Sequence, residues 1–128
     1  MPDYLDTSAF IKLVRSEPES AALRGELGGR ELLSSALLSV EGRRAARRYG
    51  PLAERRALVA LNAVTLIPLD EAVLDAAAAL EPAELRSLDA LHLGSALSLG
   101  GDLARLYCYD ARLARAAVTL GIEVRGPS

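Results

Sequence analysis

The sequence predicts one α/β domain in three layers, with a central parallel sheet of four to five short strands covered by helices on both faces. Three observations carry this. The 128 residues suit a single core of ordinary size, with no room for a second catalytic domain. Hydrophobic residues make up 51% of the chain and aromatics only 4%, so the core must come from Leu, Ala and Val, which suits helices packed on a small sheet. Short apolar runs alternate with helical stretches, and strands separated by helices imply parallel pairing.

Tyr4-Leu5 reads as a very short first strand, with Thr7 or Ser8 capping a helix over about 9–15. Glu17-Pro18-Glu19 opens a second helix that ends near Gly28-Gly29. Leu32-Leu33-Ser34 forms the second strand and enters a long helix over about 36–49, which Gly50-Pro51 stops. Residues 52–62 are helical in pattern, 64–68 form a strand, and 70–80 form an alanine-rich helix capped by Asp70. Ser87 caps an apolar helix reaching about Leu99, and Gly100-Gly101 ends it. A strand over 106–109, a helix over 111–120 and a last strand over 122–124 complete one domain spanning 1–128, with no repeat or linker.

A formal charge of −2 argues against binding nucleic acid by an overall positive field, but it does not exclude a nuclease. The basic residues are arginines apart from Lys12; their forks suit phosphate and carboxylate partners, although a GC-rich genome produces the same bias. Cys108 is the only cysteine, so an internal disulfide and a Cys/His zinc set are both excluded, and a reducing compartment fits. The first residues lack a basic segment followed by an apolar run, and no apolar stretch is long enough to span a bilayer. A soluble, cytoplasmic protein is expected.

In open parallel sheets, ligands bind beyond the carboxyl ends of the strands, where the following helices begin. Four acids fall there. Asp6 and Asp110 directly follow strands, Asp89 lies in the first turn of its helix, and Glu41 sits about a turn and a half into the helix after the second strand. Carboxylates sharing a small space repel and raise one another's pKa, so the set predicts a hard cation, Mg²⁺ or Mn²⁺. Each acid has a plainer reading beside this one. Asp6 and Asp110 could be helix caps, Asp89 a first-turn acid favoured by the helix dipole, and Glu41 an ion-pair partner of Arg44 or Arg48. Yet Glu41 lies on the apolar stripe of Leu37, Leu38 and Ala45, and Asp89 shares a face with His92, Leu93 and Ala96, where an unpaired charge costs several kcal/mol. His92 reads as a hydrogen-bonded packing residue rather than a general base. Ser8 could orient a metal-bound water, cap its helix, or both. Arg43, Arg44, Arg47 and Arg48 could form a solvated face or guide a phosphate backbone.

Five stretches in order, Tyr4-Leu-Asp-Thr-Ser-Ala9, Ser34-Ser-Ala-Leu-Leu-Ser-Val-Glu41, Ile67-Pro-Leu-Asp70, Leu85-Arg-Ser-Leu-Asp-Ala-Leu-His-Leu93 and Tyr109-Asp-Ala-Arg-Leu-Ala114, resemble the PIN-domain ribonucleases, more narrowly the VapC toxins of toxin–antitoxin pairs. The resemblance covers nearly the whole chain. It implies a PIN-like fold in which Asp6, Glu41, Asp89 and Asp110 hold Mg²⁺ or Mn²⁺ and cut structured or single-stranded RNA, commonly tRNA or rRNA. Many PIN domains carry a further acid where this chain has Leu113, which puts a second metal in doubt. The ligands imply hydrolysis by metal-activated water that leaves a 5′-phosphate, with no covalent intermediate. The resemblance also implies a VapB-type antitoxin as partner, a homodimer and a toxin–antitoxin hetero-oligomer. A HAD-type phosphatase needs an acid at Ser8 and a receiver domain needs a late lysine, so both fail on position. The remaining alternative is a non-catalytic PIN-like module that binds RNA or protein.

Overall fold

Five short parallel strands are laid side by side in the order β3-β2-β1-β4-β5 in the computed structural model, which describes residues 1–128. They are β1 (Asp3–Leu5), β2 (Leu32–Ser35), β3 (Thr65–Ile67), β4 (Arg105–Tyr107) and β5 (Val124–Arg125). The helices between them are α1 (Thr7–Val14), α2 (Ser20–Leu27), α3 (Leu38–Arg47), α4 (Pro51–Asn62), α5 (Glu71–Ala78), α6 (Ser87–Leu97) and α7 (Ala111–Thr119), with a 3₁₀ turn at Gly100–Asp102. The expected three-layer α/β architecture is the one observed. Alternate side chains of a strand point to opposite faces. Thus Leu5 joins Phe10, Val14, Leu23 and Leu38 in one core under α1–α4, while its neighbour Tyr4 joins Leu93, Leu106, Leu113 and Ala117 in another under α6 and α7.

The strand order places the site. The chain moves outward from β1 through β2 to β3, then returns to the other side of β1 for β4 and β5, so the winding reverses between β1 and β4. A crevice opens beyond the carboxyl ends of strands at such a reversal. Asp6 leaves β1 and Cys108–Asp110 leave β4 at that crevice.

Several boundaries differ from expectation, for local reasons. Asp6 caps α1: it is extended (φ −82°, ψ 177°) and its carboxylate accepts the Ala9 amide, so Thr7 and Ser8 are helical and their hydroxyls are free for other partners. The Ala36 amide donates to Ile67 O (2.8 Å) and the Leu37 amide to Ser35 Oγ (3.0 Å), which delays α3 until Leu38. Glu41 therefore stands in the first turn of α3, where the helix dipole favours a carboxylate, and not a turn and a half in. Arg86, extended and without a side-chain cap bond, precedes α6; Ser87 is the first helical residue and not the cap. Asp70 caps α5 as expected, accepting the Val73 amide. β4 stops at Tyr107 because Asp6 N–H takes Tyr107 O (3.2 Å) as the last link to β1. Ile122 is drawn into the end of α7 by its bond to Ala117 O (3.0 Å), leaving only Val124–Arg125 for the last strand.

Two glycines let helices approach more closely than a side chain allows. A Cβ on Gly42 of α3 would lie 2.8 Å from the Phe10 ring of α1, and one on Gly94 of α6 would lie 3.1 Å from Ala77 Cβ of α5. At the opposite end of β1, fully buried Asp3 is ion-paired with Arg30 and faces Arg105, so this acid, which belongs to no candidate site, ties β1 to its surroundings structurally. No helix is long and apolar enough to cross a membrane.

Candidate active site

Asp6, only 3% exposed, is held by groups from both strands at the crevice. Its Oδ1 accepts the Ala9 amide (2.8 Å), the Ser8 hydroxyl reaches both carboxylate oxygens (2.7 and 2.8 Å), and the Cys108 thiol donates to Oδ2 (3.1 Å). Ser8 Oγ in turn accepts the Tyr109 amide (2.8 Å), so Ser8 bridges the ends of β1 and β4. Burial pushes the Asp6 pKa up, outweighing the opposing pull of the Ala9, Ser8 and Cys108 donors. Burial, and then the Asp6 charge, push the Cys108 thiol up, so it remains a protonated donor.

Glu41 is bound by a second set. The Thr7 hydroxyl donates to its Oε1 (2.7 Å), and His92 Nε2 lies 2.7 Å from the same oxygen. His92 Nδ1 lies 2.8 Å from the hydroxyl of Tyr4. Burial raises the Glu41 pKa, but the His92 and Thr7 bonds outweigh it and hold the carboxyl below its ordinary value. His92 is buried and hydrogen-bonded, as expected, but its second partner is a carboxylate that the sequence did not disclose. The arginine ion pair weighed for Glu41 does not form: its partners are His92 and Thr7.

Burial, and next the Asp110 charge, raise the Asp89 pKa. Asp110 caps α7 with one oxygen, Oδ1 accepting the Arg112 (2.9 Å) and Leu113 (3.3 Å) amides. Its cap role is thus realised while Oδ2 has no protein donor. Glu41 repeats the pattern, with both donors on Oε1 and none on Oε2.

Thr7 in α1, next to Asp6, thus reaches Glu41, and the Asp110 charge acts on Asp89. As the side chains lie, no three His, Cys, Asp or Glu groups close around a point to enclose an ion. The donor chemistry nonetheless fits Mg²⁺ or Mn²⁺: carboxylate oxygens only, with both oxygens of Asp89 and one each of Glu41 and Asp110 left without a protein donor, and repulsion at Asp89 that a cation would relieve. Leu113, 2% exposed, is in the core below α7 and offers no oxygen. Arg44 and Arg48 are exposed and form no ion pair; with Arg47 they line a shallow depression, and Arg43, Arg44 and Arg47 border a neighbouring groove of about 390 Å³ with Val40 and Leu58. Sequence reasoning missed Tyr4, Thr7 and Cys108 as supports of the acids. All three lie within two residues of a candidate acid, which is the one signal that could have found them.

Residues 4–118 match the PIN domain family. The chain is 48% identical to ribonuclease VapC46 of Mycobacterium tuberculosis over 98% of its own length and 97% of that protein's, and 38% identical to ribonuclease VapC47 of the same species over 97% and 96%. Among solved structures, it resembles M. tuberculosis VapC20, described as a Sarcin-Ricin loop cleaving toxin, with a TM-score of 0.71 at 15% identity over 91% of this chain and 95% of that one. It also resembles VapBC2 from Rickettsia felis, solved bound to a promoter DNA fragment, with a TM-score of 0.69 at 11% identity over the full length of both. These two show a shared fold, and the identities to the curated ribonucleases extend over nearly every residue. The chain belongs to the VapC ribonuclease toxins of the PIN-domain family.

Proposed function

We propose that this protein is a Mg²⁺- or Mn²⁺-dependent endoribonuclease toxin that hydrolyses structured or single-stranded RNA, with tRNA or rRNA as the substrate class, acts in the cytoplasm, and is restrained by a cognate VapB-type antitoxin. The observation that supports the reading is the set of free carboxylate oxygens near the starts of α3, α6 and α7, both of Asp89 and one each of Glu41 and Asp110, in a chain of the VapC ribonuclease family. The R. felis neighbour, a toxin–antitoxin complex, supports the antitoxin.

Asp6, Glu41, Asp89 and Asp110 are the residues that would hold the cation. When bound, it supplies acidity that makes water nucleophilic near neutral pH and neutralises charge on the phosphate. The chain's own residues do the rest. Ser8, the Ala9 amide and Cys108 hold the Asp6 carboxyl group in a fixed orientation. Thr7 and His92 do the same for Glu41. The unpaired guanidinium groups of Arg44 and Arg48 offer contacts to the RNA backbone. No Ser/His/Asp or Cys/His nucleophile is assembled: the Cys108 thiol is buried and protonated, and His92 is committed to Tyr4 and Glu41.

The test is incubation of purified protein with total cellular RNA, with and without Mn²⁺ or Mg²⁺, and mapping of the new ends. Discrete cuts bearing 5′-phosphates, lost on chelation and in Asp89→Asn, are expected. Full cleavage by Asp89→Asn would remove the proposed site.

A further inference from the structure

The family's acids account for Glu41 but not for the buried groups behind it. His92 is 4% exposed, and both of its ring nitrogens are engaged: Nδ1 with Tyr4 on the central strand and Nε2 with Glu41 on α3. The Tyr4 ring meets the imidazole edge-on, at 88° with 5.9 Å between centroids, which fixes the plane of the histidine. Three elements of the fold, β1, α6 and α3, are therefore joined through one imidazole.

The direction of each bond follows from its partners. A tyrosine phenol, with an ordinary pKa of about 10, carries its proton near neutral pH and donates it to Nδ1 at 2.8 Å. Nδ1 is then the acceptor nitrogen, and the ring proton resides on Nε2, aimed at Glu41 Oε1. The reverse tautomer would set a lone pair against a carboxylate. Thr7 donates to that same Oε1 from α1. With two donors on Oε1 the carboxylate cannot turn without giving up both bonds, and its Oε2 is the oxygen presented outward. A histidine serving packing alone would be satisfied by Tyr4 and a backbone carbonyl, and would not need to end on a candidate ligand.

We propose that Tyr4 and His92, together with Thr7, form a positioning relay that locks Glu41 by one oxygen so that the other is presented to the divalent cation. The proposal rests on the metal-nuclease reading above, and His92 is a positioning residue rather than a catalytic one. Partners of this kind typically change metal affinity or activity by about 10- to 100-fold.

Mn²⁺ binding to the RNA-free protein, followed by the loss of the free-ion electron paramagnetic resonance signal, tests it alongside RNA cleavage kinetics. His92→Leu is expected to weaken Mn²⁺ binding by at least about tenfold and to lower kcat with little change in KM for RNA. Tyr4→Phe, which deletes only the hydroxyl, should act in the same direction by a smaller factor. His92→Gln, whose amide reaches the place of Nε2 and can donate to Glu41, should recover most of the affinity missing in His92→Leu. Wild-type Mn²⁺ affinity and kcat in both Tyr4→Phe and a folded His92→Leu would overturn the relay, as would a His92→Gln no better than His92→Leu. If His92→Leu fails to fold by circular dichroism, Tyr4→Phe decides: wild-type affinity there overturns the relay and a weakened one upholds it. Absence of Mn²⁺ binding by the wild type would overturn the metal-nuclease reading and the relay together, an outcome distinct from normal binding by all the variants.

Discussion

The Cys108 thiol stands 3.1 Å from Asp6 Oδ2, a sulfur donor from the end of β4 reaching the carboxylate at the end of β1. A thiol is a weak donor, yet here it is one of the few groups opposing the cost of a buried charge. Cys108→Ala deletes that donor and should weaken Mn²⁺ binding by about tenfold, whereas Cys108→Ser, which keeps a donor, should remain near wild type in the same titration. Because the thiol is buried and held protonated, an aromatic disulfide reagent should label it only as the protein unfolds.

Asp6 and Asp89 each carry a pKa raised by folding. Above the raised value each carboxylate is ionised at a cost to the folded state. The penalty shrinks as pH falls through that value and is gone below the ordinary aspartate value of about 4. In chelator, the melting temperature should therefore rise as pH is lowered from neutral toward that range, until other acids such as Glu41, whose shift has the opposite sign, begin to oppose it. Asp6→Asn and Asp89→Asn should flatten the dependence, keep or raise stability at neutral pH, and lower cleavage by at least about 100-fold. Differential scanning fluorimetry across pH, paired with an RNA cleavage assay, reads both effects.

Replacing Arg44 and Arg48 together with Ala should weaken RNA binding and reduce the slope of log K against log salt by roughly 1.4, at about 0.7 for each single-strand phosphate that an arginine no longer neutralises. Mn²⁺ affinity should stay unchanged. A slope equal to wild type in a filter-binding titration would make the two arginines a solvated surface.

Legibility in the sequence followed the range of the interaction. The alternation of β1 through β5 with α1–α7, and the position of Asp6, Asp89 and Asp110 near element ends, are local patterns, and the structure reproduces them. What stayed hidden are bonds between residues far apart in the chain: Thr7 to Glu41, Tyr4 to His92, and Asp6 to Cys108. The caps illustrate the difference. Thr7, Ser8 and Ser87 are good capping types, but Asp6 has the extended backbone that the cap of α1 requires, and Arg86 occupies the equivalent place before α6 without a side-chain bond. Leucine and alanine periodicity likewise placed Glu41 on a core-facing stripe without revealing which buried group would meet it.

Expressed alone in its own host, the wild-type chain should arrest growth. Co-expression of a small adjacent reading frame, whose product should co-purify with the toxin, is expected to relieve the arrest, and so is Asp6→Asn. Colony counts under an inducible promoter measure this directly. A harmless wild-type chain that retains no such neighbour would contradict the toxin assignment for this protein while leaving its ribonuclease chemistry open to the cleavage assay.

Gly42 gives this site a vulnerability that an inventory of acids does not register. It follows Glu41 directly, and the absence of a methyl group there is what allows α3 to rest on the Phe10 ring of α1, the helix that also carries Thr7. A lineage could therefore disarm the protein by adding a single carbon, Gly42→Ala, which would wedge the two helices apart and carry Glu41 away from Thr7. Every acid would remain at its place in the chain. In this chain, toxicity abolished in that way should be regained by trimming Phe10 rather than by restoring any ligand.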